Sequence, residues 1–293
     1  MPAVTFYTNG PAPDRQAQRY TPDMAQVRLP RVPLVCAVAA LSILAETALR
    51  ADRADKREIL KQAKASYYSL RARGLESFEA TLTPDWQVVL SVNGNPPPQA
   101  QLDLLSVLRF SMSLDAAGKT RVTYRAEKPA PNDTVQKGYD QIFTGMDDII
   151  AGFYQTYTPF MITSPFPAID SQYQVDDTEN GYFVTWKEDR DTTSVSTRMT
   201  RTLAITDMVI NSKDFDALIK PTFSTGSDGY VLSAYNGYYK PKAGGGTVLI
   251  DVAIEHQLVE GFRLVKKLAF SSAVDGAPSK TEIAFSNYSI KRK

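Results

Sequence analysis

From Gln172 to its C-terminus the chain reads as one strand after another, and nothing else in it restricts the fold so tightly. YQVDD and GYFVTWKED flank the turn Thr178–Glu179–Asn180–Gly181, and a long β stretch runs from Thr193 to Ile210. YVLSAYNGYYK and TVLIDVAIEHQLV flank Ala243–Gly244–Gly245–Gly246, and RLVKKLAFSS and KTEIAFSNYSI flank a turn at Asp275–Gly276. Strand-length runs joined by short turns, with no helix between them, predict an antiparallel meander and not a parallel βαβ sheet. Apolar residues take alternate positions, as in Val248, Ile250, Val252 and Ile254, or Phe262, Leu264, Leu268 and Phe270. Tyr182, Val184 and Trp186 do the same. A sheet of such strands has one face that must be covered.

The cover is written upstream. Asp133 to about Tyr157 carries Val135, Tyr139, Ile142, Phe143, Met146, Ile149, Ile150, Phe153 and Tyr157 at intervals that keep them on one helical side. Asp55 to about Arg73 has Ile59, Ala63, Tyr67 and Leu70 in the same relation, with Gly74 as a stop. A third helix is expected from about Pro98 to Arg109, with Leu102, Leu105 and Leu108 on one side. Between these lie a strand with Phe78, Ala80 and Leu82 alternating, ended by Pro84 and Asp85, and a hairpin, FSMSLD and TRVTYRAE, around Ala116–Ala117–Gly118–Lys119. PFMITSPFPAI, after the long helix, holds too many prolines for a regular helix. The fold expected is therefore α+β: a curved antiparallel sheet, an unclosed barrel, covered on its concave face by two or three helices. Either a packed core or an apolar cavity fills the space between them.

The N-terminus reads as an address. Val32 to Ala45 is an unbroken apolar run behind Arg28 and Arg31, followed by Glu46 and by the small residues Ala48 and Ala51. Its 14 residues are short of the roughly 20 that span a bilayer, and the pattern is that of a secretory signal peptide starting at Met24. Residues 1–51 are expected to be leader plus signal, and 52–293 a single β-rich domain in the periplasm or otherwise exported.

Composition removes several chemistries. With one Cys (Cys36) and one His (His256), the chain cannot form an internal disulfide or supply the usual zinc ligands, and no cofactor is expected. A formal net charge of +1 offers no footprint for nucleic acid. Asp147–Asp148, Asp176–Asp177 and Glu188–Asp189 are adjacent carboxylates, but neighbours on a strand point to opposite faces, so adjacency is not a glycosidase pair. His256 lacks a nucleophile motif, and Gly244–Gly246 lacks the Lys and Ser/Thr of a phosphate loop. Tyr230, Tyr235, Tyr238 and Tyr239 around Asn236–Gly237 read either as cross-strand packing or as a surface for a partner.

LVEGFRLVKKLAFSSAVDGAPSKTEIAFSNYSIKRK at the C-terminus and ILKQAKASYYSLRARGLESFEATL near the start of the domain resemble the two ends of periplasmic lipoprotein carriers of the LolA/LolB-like type. The resemblance implies an unclosed barrel whose apolar interior shelters acyl chains, without metal or catalytic group. No functional residue is carried over from the family; the helix stripe and the alternating strands themselves offer Ile142, Phe143, Met146, Ile150, Phe153, Tyr182, Trp186, Phe262, Leu264 and Leu268 as lining, with plain core packing the alternative for each. The ligand expected is an acyl chain, lipid or lipidated protein, and the protein is expected to be a monomer and not an enzyme. The other readings are an envelope interaction module that uses a sheet edge or the tyrosines, and a hydrolase.

Overall fold

The alternating segments become twelve strands of one antiparallel sheet. They are β1 (Leu75–Pro84), β2 (Leu108–Leu114), β3 (Thr120–Ala126), β4 (Tyr173–Thr178), β5 (Gly181–Lys187), β6 (Ser194–Thr200), β7 (Ile205–Asn211), β8 (Phe215–Gly226), β9 (Gly229–Pro241), β10 (Val248–Val259), β11 (Phe262–Val274) and β12 (Ala277–Arg292). The computed structural model describes residues 55–91, 95–188, 192–244, 246–274 and 277–293. The expected leader and signal peptide, the turn Asp275–Gly276, and Asp189 and Gly245 lie outside the described residues. Strands β4 to β12 pair in chain order, β12 then pairs with β1, β1 with β2 and β2 with β3. β3 and β4 stand at the two ends of this order, so the sheet is open.

Register explains why one face is buried. Val175, Val184, Thr197, Met208 and Ile219 are directly opposite one another across β4 to β8, and all are buried. Phe110, Leu82 and Phe285 continue the same logic across β2, β1 and β12, and Ile283, Leu268 and Ile254 across β12, β11 and β10. The single polar member of the first row, Thr197, is fully buried and its hydroxyl has no hydrogen-bond partner. An unmet hydroxyl in an apolar row carries its desolvation cost uncompensated. Thr197→Val should therefore raise the unfolding free energy by about 1 kcal/mol in urea titrations; a loss of stability would mean the hydroxyl is satisfied after all.

Four helices lie among the described residues: α1 (55–65), α2 (Trp86–Val89), α3 (Gln99–Leu105) and α4 (Asp133–Tyr157). α4 matches its expected bounds, capped by the Asn132 side chain, which accepts from the Val135 amide at 3.0 Å. It runs on into a π turn, Thr158–Ile162, where Pro159 has no N–H for the regular ladder. Along its length α4 touches both distant parts of the sheet. Phe143 packs on Tyr124 of β3 at 5.0 Å, Thr156 shares a hydrogen bond with Tyr239 of β9, and Tyr157 shares one with His256 of β10. Asp147 accepts from the Val122 amide on edge strand β3, which shields part of that edge.

Four expectations need correction. α1 stops at residue 65, not near Arg73, because the next backbone groups are claimed by β9: Tyr230 donates its amide to Ser66, and Tyr68 donates to Tyr230. The Tyr67 hydroxyl completes that junction, accepting from the Ile205 amide and donating to the Leu203 carbonyl. α3 ends at Leu105, since Leu108 is already paired with Ala126 in the β2–β3 ladder. The stretch Thr193–Ile210 is a hairpin, β6 and β7, turning through Leu203 at φ 68°. In β11 a one-residue register shift between Glu255 and His256 breaks the alternation, so both Leu264 and Val265 are buried, and Phe262 and Leu264 cannot be placed on the face of Leu268 by counting in twos.

Candidate functional site

An apolar groove opens between α3 and the first turns of α4. Its volume is about 240 Å³, and Leu90, Leu104, Leu105, Val135, Tyr139 and Ile142 form most of its wall. On α4, Val135, Gly138, Tyr139 and Ile142 are three or four residues apart, so they present one side of the helix. The one polar tip among them, the Tyr139 hydroxyl, donates to the Leu104 carbonyl at 3.0 Å and so fixes α4 to the end of α3. Leu104 is 37 % exposed, a large apolar side chain left partly in water at the groove mouth.

Gly138 is the informative residue. Glycine inside a helix costs about 1 kcal/mol relative to alanine. Its φ is not positive, and a methyl placed on it would meet no atom within 4 Å. Neither backbone conformation nor close packing requires a glycine here; what it leaves is open space along the groove. Gly145 and Gly152 repeat at seven-residue spacing with the same open surroundings, on nearly the same side of α4.

The structure divides the residues expected to line a cavity. Met146, Ile150, Phe153, Phe262, Leu264 and Leu268 are at most 4 % exposed and belong to one continuous core. Ile142 alone of the set reaches the groove. Phe143 packs against Tyr124 at the β3 edge, while Tyr182 and Trp186 are half-buried on β5, toward the other edge. Tyr182 also borders a cleft of about 630 Å³ with Asp176, Arg198 and Thr206, but its charged groups are engaged: Gln174 donates to Asp176, and Arg198 faces Asp207. Leu90, Leu104 and Gly138 were not singled out by sequence; the glycines at 138, 145 and 152 in an otherwise apolar-striped helix are the signal that could have found them.

The other chemical candidates are occupied by structural work. Asp147 holds the β3 edge, and Asp177 pairs with Arg201 at 2.7 Å. The tyrosines around Asn236–Gly237 lie along β9, within the strand expected there. Tyr235 is buried, Tyr239 is bonded to Thr156, Tyr230 donates to the Thr202 carbonyl, and Tyr238 is exposed. His256 meets the hydroxyl of buried Tyr157 at 3.2 Å, with the rings stacked 6.2 Å apart. Burial first, and the Arg263 charge second, lower its imidazole to about 4, while burial pushes the Tyr157 phenol up. Among the described residues no group of three or more His, Cys, Asp and Glu stands close enough to hold a metal ion, and no helix is long and apolar enough to cross a membrane. Compared with known protein families, characterised proteins and solved structures, the chain matches none.

Proposed function

We propose that the protein binds an apolar ligand, such as an acyl chain or the lipid of a lipidated protein, in the groove between α3 and α4. The observation that carries the reading is a side-chain-free position, Gly138, kept in a helix interior where it opens apolar space at the surface. The reading takes the open sheet as an unclosed barrel with helices over its concave face, related to the LolA-like carriers, and places the protein in the cell envelope behind a signal peptide. About 240 Å³ lies below the roughly 300–1,000 Å³ of pockets that enclose a whole small molecule, so the groove seats a segment of chain and leaves a headgroup outside. Apart from Gln101 and the Tyr139 hydroxyl its wall is apolar, which suits a hydrocarbon chain.

The test is Gly138→Leu. A leucine fills the open space and improves helix propensity, so the variant should be as stable as the wild type. Its affinity for a fluorescent fatty acid should fall at least about tenfold, equivalent to the loss of roughly 1.4 kcal/mol. Unchanged uptake by the folded variant contradicts the groove as the seat.

One observation favours a second reading, an interaction surface on the other face of the sheet. Leu218, Tyr238 and Leu249 are direct cross-strand neighbours, and Tyr238 and Leu249 are 40 % and 52 % exposed. On that reading a Tyr238→Lys, Leu249→Lys double variant loses a co-purifying partner while fatty-acid uptake is untouched.

A further inference from the structure

α4 is held down at its C-terminal end by a polar contact set inside an apolar environment. The Tyr157 hydroxyl, on the last residue of the helix, meets Nε2 of His256 at 3.2 Å. His256 sits where β10 meets the register shift in β11, opposite Val265. The ionisable groups gathered around the pair come from every neighbouring element and are almost all phenols. Tyr154 is on α4 itself, Tyr288 on β12 donates to the Val265 carbonyl, and Tyr68 follows α1 and accepts from the Arg263 amide. The nearby charges are the Arg263 guanidinium and the Asp228 carboxylate paired with it, which Arg73 shares. Glu255, next in sequence, is exposed and faces Lys266. Among the described residues no carboxylate forms an ion pair with His256.

We propose that His256 and Tyr157 form an acid-released latch that fastens the C-terminal end of α4 to the sheet. With a neutral imidazole that carries its proton on Nδ1, Nε2 accepts the Tyr157 hydroxyl proton, and the buried phenol is satisfied. When a proton takes the Nε2 lone pair, the hydrogen bond survives only with its direction reversed, the hydroxyl oxygen now accepting, and the half-buried imidazolium lies among phenols beside Arg263 with no carboxylate paired to it. Burying an unpaired charge is far costlier than hydrating it, so the charged form favours a state in which this end of α4 has lifted and water reaches the ring. Phe153 and Tyr154, one turn back, would be uncovered by the same motion. The lowered imidazole described above agrees with this geometry, since burial is its first cause. The latch does not depend on what the α3–α4 groove binds.

Because the chain has one histidine, its titration is unambiguous. Hydrogen exchange of the last turns of α4, corrected for intrinsic rates, should be followed from pH 6.5 to 4.5 in the wild type and in His256→Gln, whose amide can still meet the Tyr157 hydroxyl. In the wild type the open population should grow about tenfold for each pH unit below the ordinary imidazole value; in the glutamine variant it should stay flat. Equal pH dependence in both proteins, or none in the wild type, overturns the latch. Should the variant fail to fold, an NMR titration of His256 in the wild type decides: a midpoint near 4 that coincides with α4 opening supports it, and an ordinary midpoint near 6.5 overturns it.

Discussion

Phe153→Ala should lower the unfolding free energy by about 3–5 kcal/mol, the range for truncating a fully buried aromatic. Phe153 is 1 % exposed, and its ring lies 5.0 Å from Tyr154 and 4.9 Å from Tyr157. Those two tyrosines in turn reach the sheet, Tyr154 against Phe78 of β1 and Tyr157 against His256 of β10. Truncation loses both the burial of the ring and the packing of the phenols that depend on it. The half-buried groove residue Ile142, by contrast, should cost far less as alanine while weakening ligand uptake. Paired urea titrations measure the difference. A small loss at Phe153, under about 1.5 kcal/mol, would mean that space already surrounds the ring and that the ligand seat lies inside, under α4, instead of in the groove.

The second large effect is a loss of stability in acid. The folded imidazole of His256 lies at about 4, below its ordinary 6.5. Between those values the unfolded chain binds a proton that the folded chain refuses, so stability rises with pH across the window. The contribution is fully present above pH 6.5 and is lost as the pH falls through about 4. The shift corresponds to about 3 kcal/mol. Carboxylates titrate over part of the same range, so the quantity to read is the difference between wild type and His256→Gln in denaturant midpoints from pH 7 to 4. Parallel curves would show that burial of this histidine does not couple to folding.

The sheet was legible because period two leaves a mark wherever one face is dry. Phe78, Ala80 and Leu82, and Val252 and Ile254, are buried as their alternation requires, and Leu249 and Asp251 beside them are exposed. α4 was legible for the same reason at the helical period, down to its bounds. What failed did so where tertiary contacts override local pattern. Helix-forming residues 66–73 leave the helix because Tyr230 takes the Ser66 carbonyl and Ile205 takes the Tyr67 hydroxyl, partners more than a hundred residues away. β8 has no counterpart among the expected strands; its Pro221 is tolerated because the β7 ladder stops at Ile219. The bulge in β11 carries no local signature at all, and it scrambles the parity on which Phe262 and Leu264 were assigned.

The candidate site was less legible than the fold, because an apolar side chain facing a core and one facing a groove look alike in sequence. Met146, Ile150 and Ile142 share a stripe on α4, yet the first two are buried in the core and the third borders open space. What separates them is the wall opposite. Leu104 and Leu105 on α3, some thirty-five residues earlier in the chain, face Gly138 and Ile142, whereas the sheet faces Ile150.

A methyl-resolved NMR titration with dodecanoate tests the binding account most directly. Shifts concentrated on Leu90, Leu104, Leu105, Val135 and Ile142, and absent in Gly138→Leu, are the predicted result. No saturable shift at all, or shifts confined to core methyls such as Ile150 and Leu268, would contradict it.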